Sequence, residues 1–251
     1  MQRPSRSVTS AQQGIHPSLG RRVRRHLAEP WRRPVSTHTR DAFLRAAGRV
    51  RGHEGDIVLD SGCGTAASTV MLAEGHPEAL VIGVDKSADR LARQPLGALP
   101  PNLLLLRADL QDFWRLAQAS GWRITRHCLF YPNPWPKAAQ LTRRWHAHPV
   151  FPALLALGGL LELRSNWRLY LDEFAAALAI VGIPARIEPV GADGTPVSPF
   201  ERKYLASGQQ CWCLRARLAI ETDGALRNAL SSSVAAVPGG RPRRSAGAAS
   251  E

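Results

Sequence analysis

The sequence predicts an α/β fold built on a doubly wound, mostly parallel sheet, and three observations carry that expectation. Short apolar runs, DIVLD at 56–60, LVIGVD at 80–85 and LLLLRA at 103–108, alternate with stretches of helical periodicity. The first run leads into a glycine-rich turn, and an aspartate stands at or just past the carboxyl end of each run. Continuous apolar runs of this length suit strands buried on both faces. Strands alternating with helices imply a parallel sheet with right-handed crossovers.

Taken in order, the periodicity predicts a helix at 41–50, the strand 56–60, a helix at 66–74, the strand 80–85 and a short helix after Ser87. The strand 103–108 follows, then a helix through Phe113 and Leu116 and a strand through ITRHCLFY. A proline-rich loop, a helix near 150–157, the strand GLLELRS at 159–165 and a helix at 169–181 complete the alternation. The chain then runs through IPARIEPV to a last strand, CWCLRARL.

Composition bounds the function classes. No apolar run approaches the roughly 20 residues of a membrane helix, so a soluble, cytoplasmic protein is expected, and nothing in the sequence demands more than a monomer. The basic start has no apolar h-region of the secretory kind. Cys63, Cys128, Cys211 and Cys213 show neither zinc spacing nor a disulfide framework, which favours buried thiols. His146-x-His148 lacks a third ligand at a recognisable spacing, so no metal site is expected.

The formal charge of +13 points to a polyanionic partner. Residues 1–40 hold nine arginines against the single acid Glu29, and read as a flexible basic arm. The folded domain is expected over 41–222, with a disordered Ala/Ser/Gly/Pro/Arg tail over 223–251.

In VLDSGCG, Gly62 and Gly64 fall where the backbone turns from strand to helix and a ligand can approach closely. Gly62-x-Gly64-x-x-Ala67 loosely satisfies a dinucleotide fingerprint, and Asp85, with Lys86 beside it, stands where a carboxylate accepts ribose hydroxyls. Either a nicotinamide dinucleotide or S-adenosylmethionine fits this much. Asp60 separates them, because a carboxylate at the turn repels a pyrophosphate but suits a sulfonium and an ammonium. Asp109, followed by Leu110, supplies a further polar group for the adenine edge. Cys63 lies within the same turn.

FYPNPWPK, residues 130–137, carries three prolines and so cannot continue a central strand or enter a helix without cost. It reads as a rigid loop presenting Asn133, Trp135 and Lys137. Trp135 offers a face on which a base can stack, and Lys137, Arg143, Arg144, His146 and His148 form a segment able to track phosphates.

VLDSGCGT, GVDKSADRL, RADL, NPWPK, SNWRLY and SPFERKYLASG occur in an order that resembles the tRNA (guanine-N7)-methyltransferase family, over about residues 55–218. The resemblance implies a Rossmann-like, seven-stranded class I methyltransferase sheet whose last strand is antiparallel. It implies S-adenosylmethionine as cofactor, with contacts at Asp60, Asp85, Asp109 and Asn133, and tRNA as partner, with contacts at Lys137, Asn166 and across Ser198 to Glu201. Asn133 is the expected catalytic position. This sequence departs from the family at Asn133, where aspartate is usual, at Ser165-Asn166, where threonine-aspartate is usual, and at Ser198 in place of threonine. Two readings stand beside the enzyme: a non-catalytic RNA-binding protein of this fold, and a methyltransferase for another base or a small molecule.

Overall fold

The computed structural model describes residues 4–95, 97–191 and 194–218. Strands β1 (Ile57–Ser61), β2 (Leu80–Asp85), β3 (Leu103–Arg107), β4 (Arg126–Phe130), β5 (Gly159–Ser165), β6 (Ala185–Pro189) and β7 (Trp212–Leu218) form one sheet. Their order is β3-β2-β1-β4-β5-β7-β6. β7 runs antiparallel to both its neighbours, and the other pairs are parallel. The expected strands are all present, IPARIEPV supplying β6.

Side-chain alternation along the central strands divides the core between the two faces of the sheet. Ile57 and Leu59 of β1 enter the larger cluster, with Phe113, Trp114, Phe151 and Phe174, while Val58 joins Val81, Cys128 and Leu72 in the smaller one. Helices α1 (Leu19–Ala28), α2 (Thr37–Arg51), α5 (Leu110–Ala119), α6 (Phe151–Ala156) and α7 (Arg168–Ile180) contribute to the first cluster, and α3 (Ala67–Gly75) to the second. The short α4 (Ala88–Leu91) follows β2. After β3 the chain crosses back to place β4 on the far side of β1, so a crevice opens at the carboxyl ends of β1 and β4. Open α/β sheets bind ligands at such a reversal.

Two expectations change. The start of the chain is not a loose arm: α1 buries Leu19 and Val23 to 1% exposure and packs against α6 and α7. The Ser5 amide donates to Ser207 Oγ at 2.9 Å, and Gln209 donates back to the Ser5 carbonyl at 2.8 Å. Leu19, Val23 and Leu27 recur every four residues and give α1 an apolar stripe, while Arg21, Arg24 and Arg25 stay exposed. A net arginine count hides that stripe. α8 (Pro199–Ala206) was also not anticipated. Ser198 Oγ caps it by accepting from the Glu201 amide, with Pro199 at its first position. The tail expected over 223–251 lies outside the described residues. Cys63, Cys128, Cys211 and Cys213 are all buried and free, and no described helix is long and apolar enough to cross a membrane.

Gly159 opens β5 at φ 81°, and a Cβ there would lie 2.1 Å from the Ile124 carbonyl oxygen. Gly159→Ala should therefore destabilise the fold by at least about 3 kcal/mol. Gly121→Ala, at φ 69° with open space around it, isolates the backbone cost and should lose only about 1–2 kcal/mol. Urea unfolding of both variants measures the difference.

Candidate active site

The turn from β1 to α3 takes three left-handed residues, Gly62 (φ 82°), Gly64 (φ 60°) and Ala66 (φ 62°). The amides of Gly62 and Cys63 donate to the Val84 carbonyl at 2.8 and 3.1 Å, which clips the turn to the end of β2. Asp85, 3% exposed, accepts from the Gly64 amide at 3.0 Å and from the Ser87 amide at 2.8 Å, and pairs with Arg90 at 3.3 Å. Asp109 caps α5 through the Gln111 amide at 3.0 Å.

These groups wall one end of a cleft of about 440 Å³. Of the residues expected at the cofactor, Gly62, Asp85, Lys86, Asp109 and Leu110 stand there, and Asn133, Trp135 and Arg143 stand at the other end. Ser61, Arg90, Gln111, Tyr131 and Trp145 also line it and were not anticipated. Ser61 closes β1 and Tyr131 follows β4, so strand ends alone mark both at the carboxyl edge. Trp145 carried no such signal. Beneath the cleft, Trp114 Nε1–H donates to Ser61 Oγ at 3.0 Å, and the hydroxyl lies 2.8 Å from His127 Nε2. Burial lowers the His127 pKa to about 3, so the ring is neutral where it meets the Ser61 hydroxyl.

The proline loop holds two non-glycine residues in the left-handed region, Tyr131 (φ 51°) and Trp135 (φ 47°). Each costs of order 1–3 kcal/mol and persists only where its surroundings over-determine it. Arg144 does that for Trp135. It is fully buried, and its Nε and Nη2 donate to the Trp135 carbonyl at 3.2 and 3.0 Å. Its Nη1 pairs with the fully buried Glu173, which also accepts from His146 Nε2 at 3.1 Å, Gln12 Nε2 at 2.6 Å and the His16 amide at 3.0 Å. Burial alone would raise the Glu173 pKa, but the bonds from His146, the His16 amide and Arg144 hold it well below the usual carboxylate range. On the cleft side, the Arg143 guanidinium lies 4.7 Å from the centre of the Trp135 ring.

Several expected site residues do not face the cleft. Asp60, 1% exposed, turns toward α3 and accepts from Ser68 Oγ at 2.6 Å and Thr69 Oγ1 at 2.7 Å. Its role is to tie the glycine turn to the helix. Cys63 is buried behind the turn, and Gly64 acts through its amide on Asp85. Arg144 cannot track phosphates, because its charge is sealed against Glu173. Lys137 is exposed beside residues 9–17, away from the cleft. Asn166 donates to Gln209 at 2.8 Å, and Ser198 is the cap of α8. Glu201, 1% exposed, is committed to Arg164 at 2.9 Å and to the Tyr131 hydroxyl at 2.7 Å, so it positions Tyr131 instead of reading a base. Burial, followed by the bonds to Cys211 and Glu201, raises the Tyr131 pKa and keeps the phenol protonated.

The strand order, the glycine turn and the acidic residue closing β2 define a class I, S-adenosylmethionine-dependent methyltransferase. Residues 54–214 match the family model described as "Putative methyltransferase". A tRNA (guanine-N(7)-)-methyltransferase of Mycolicibacterium gilvum is 32% identical over 76% of this chain and 74% of its own. The corresponding protein of Anaeromyxobacter dehalogenans is 31% identical over 64% of this chain and 85% of its own. This chain therefore belongs to that methyltransferase family. Among solved structures, a 16S rRNA (adenine(1408)-N(1))-methyltransferase from Catenulisporales acidiphilia superposes with a TM-score of 0.51 at 20% identity, covering 73% of this chain and 92% of that one. The 16S rRNA methyltransferase KamB gives 0.52 at 17%, covering 74% and 96%. Both show a shared fold.

Arg144→Met strands the buried Glu173 charge and should cost about 3–5 kcal/mol in urea unfolding. The double variant Arg144→Met/Glu173→Met should recover most of that loss.

A second prediction concerns Asp60. Burial lifts its pKa from 3.8 to about 6, the Ser68 and Thr69 hydroxyls opposing and Asp85 assisting. A folded-state pKa above the unfolded one contributes stability that is present below pH 4 and lost as pH rises through 6. The stability difference between Asp60→Asn and wild type should consequently grow by about 2 kcal/mol from pH 4 to pH 7. A flat difference across that window would show that Asp60 is already ionised on folding.

Proposed function

We propose that the chain transfers a methyl group from S-adenosylmethionine to N7 of a guanine in tRNA. One observation carries this reading: a single cleft joins the Asp85 and glycine-turn end to the Asn133, Trp135 and Arg143 end. The first end fits the cofactor. Asp85 is fixed by two amides, so its remaining lone pairs are aimed for ribose hydroxyls. Gly62 leaves the backbone approachable, a Cβ there finding its nearest atom only at 3.9 Å. Asp109 and Leu110 stand at the adenine side. When bound, S-adenosylmethionine supplies a methyl group made electrophilic by its sulfonium.

Guanine N7 carries an in-plane lone pair and no proton, so the chain need provide no general base. Its task is to hold the purine in line and to exclude water, which is catalysis by orientation. Tyr131, Trp135 and Trp145 supply flat apolar walls for the base, and stacking on such faces contributes about 1–3 kcal/mol per base. Asn133 lines the same cleft. Its Oδ1 faces the Trp135 amide at 3.4 Å, and because a backbone amide only donates, the side-chain NH₂ is the group left for the ligand. Where relatives of the family carry an acceptor, this chain thus presents a donor, suited to an acceptor such as guanine O6 beside N7. Arg143 and Lys86 at the cleft, with the exposed arginines of α1, match a phosphate backbone.

Labelled S-adenosylmethionine and an unmodified tRNA transcript, followed by digestion to nucleosides, test the reading. Labelled 7-methylguanosine is the expected product. Asp85→Asn should weaken cofactor binding at least tenfold and leave tRNA affinity within twofold. Label on any other nucleoside would refute the N7 assignment, and tRNA binding without transfer would make the protein a non-catalytic RNA binder.

A further inference from the structure

An aromatic run leaves the cleft and reaches the surface on α8. Tyr131, a wall of the cleft, has its ring 5.4 Å from that of Tyr204, tilted by 46°. Tyr204 in turn stacks on Phe200 at 6.3 Å and 26°. Phe200 and Tyr204 are four residues apart on α8, which places them one above the other on one helix face. Phe200 is 48% exposed. A lone exposed phenylalanine would be ordinary. This one ends a continuous series of rings that begins inside the candidate active site.

The inner end of the series is rigid. The Tyr131 hydroxyl donates to Glu201, and Glu201 is held by Arg164, itself paired with Glu162 at 2.7 Å. Arg126 closes the row on Glu162 at 2.8 Å. Glu201 lies on α8 beside Phe200, so the same ion pair sets both the helix and the cleft wall. The outer end is cationic: Lys203 is exposed on the face of Phe200 one turn on, and Arg202 is exposed on another face of α8. Flat rings beside positive charge are the combination that binds single-stranded nucleic acid.

We infer that Phe200 and Tyr204 form a stacking subsite for a nucleotide adjacent to the one in the cleft, with Lys203 at its phosphates. The occupant is an unpaired RNA base, favoured by the charge of the flank and by continuity with the cleft. This rests on the reading of the substrate as RNA. A base drawn into the cleft must leave its stack, and a ring series at the exit gives its neighbour a new one.

The test measures steady-state methylation of the tRNA transcript, filter retention of the same RNA, S-adenosylmethionine affinity and sedimentation for wild type, Phe200→Ala and Phe200→Trp. Phe200→Ala should raise KM for tRNA about tenfold, with kcat, cofactor affinity and melting temperature near wild type, and Phe200→Trp should restore KM. An unchanged KM with intact wild-type turnover overturns the subsite and leaves the proposed reaction standing. If wild type transfers nothing but Phe200→Ala still weakens RNA retention about tenfold, the subsite stands and the reaction falls. If the alanine variant instead converts a dimer to a monomer at unchanged RNA affinity, the face binds a second copy and the inference is wrong.

Discussion

The buried pair Arg144–Glu173 is the constraint on which the site depends. A guanidinium and a carboxylate, both without solvent exposure, survive in the interior because each is nearly saturated with partners. Arg144 spends its remaining donors on the Trp135 carbonyl and on Gln12, and Glu173 takes His146, Gln12 and the His16 amide. One charge pair thereby ties the proline loop, the α7 helix and the start of the chain to a single point. The left-handed backbone at Trp135 is held by this pair, and with it the wall of the cleft that faces the glycine turn.

A second ionic row works in the same way on the other side of the loop. Arg126, Glu162, Arg164 and Glu201 alternate in sign across β4, β5 and α8 and end on the Tyr131 hydroxyl. Burial would raise the Glu162 pKa, but bonding to Arg126 and the charge of Arg164 carry it below its ordinary value, so Glu162 stays ionised at neutral pH. The loop FYPNPWPK is therefore pinned at Tyr131 and at Trp135, with Asn133 midway between the pins. The cofactor end of the cleft rests on a different principle, in which backbone amides of the turn and of Ser87 aim Asp85.

The residues that line the cleft and those that turn away from it differ in a common physical respect. Gly62, Asp85, Asp109, Asn133 and Trp135 were legible because turn geometry, strand ends and proline stiffness act over a few neighbouring residues. Asp60, Arg144 and Glu201 carry the right charge at the right sequence position, yet Asp60 is taken up by the Ser68 and Thr69 hydroxyls of α3, and Arg144 and Glu201 by counter-ions distant in the chain. A charge read from sequence has no direction. Whether it meets a ligand or a buried counter-ion depends on what packs against it, and Glu173, Arg164 and the α3 hydroxyls decided those cases. The docked α1 helix shows the same effect: its arginines dominated the composition, while Leu19 and Val23 decided its place.

What the sequence alone determined is the alternation of buried strands and helices, the glycine turn, the aspartate closing β2 and the stiff loop after β4, because these follow from local periodicity and backbone restriction. Tertiary structure alone decided which charges are spent in the interior, that the start of the chain belongs to the folded body, and that rings from the loop after β4 and from α8 line up toward the surface. Those outcomes are set by contacts between residues tens of positions apart, and no local pattern encodes the distance between them.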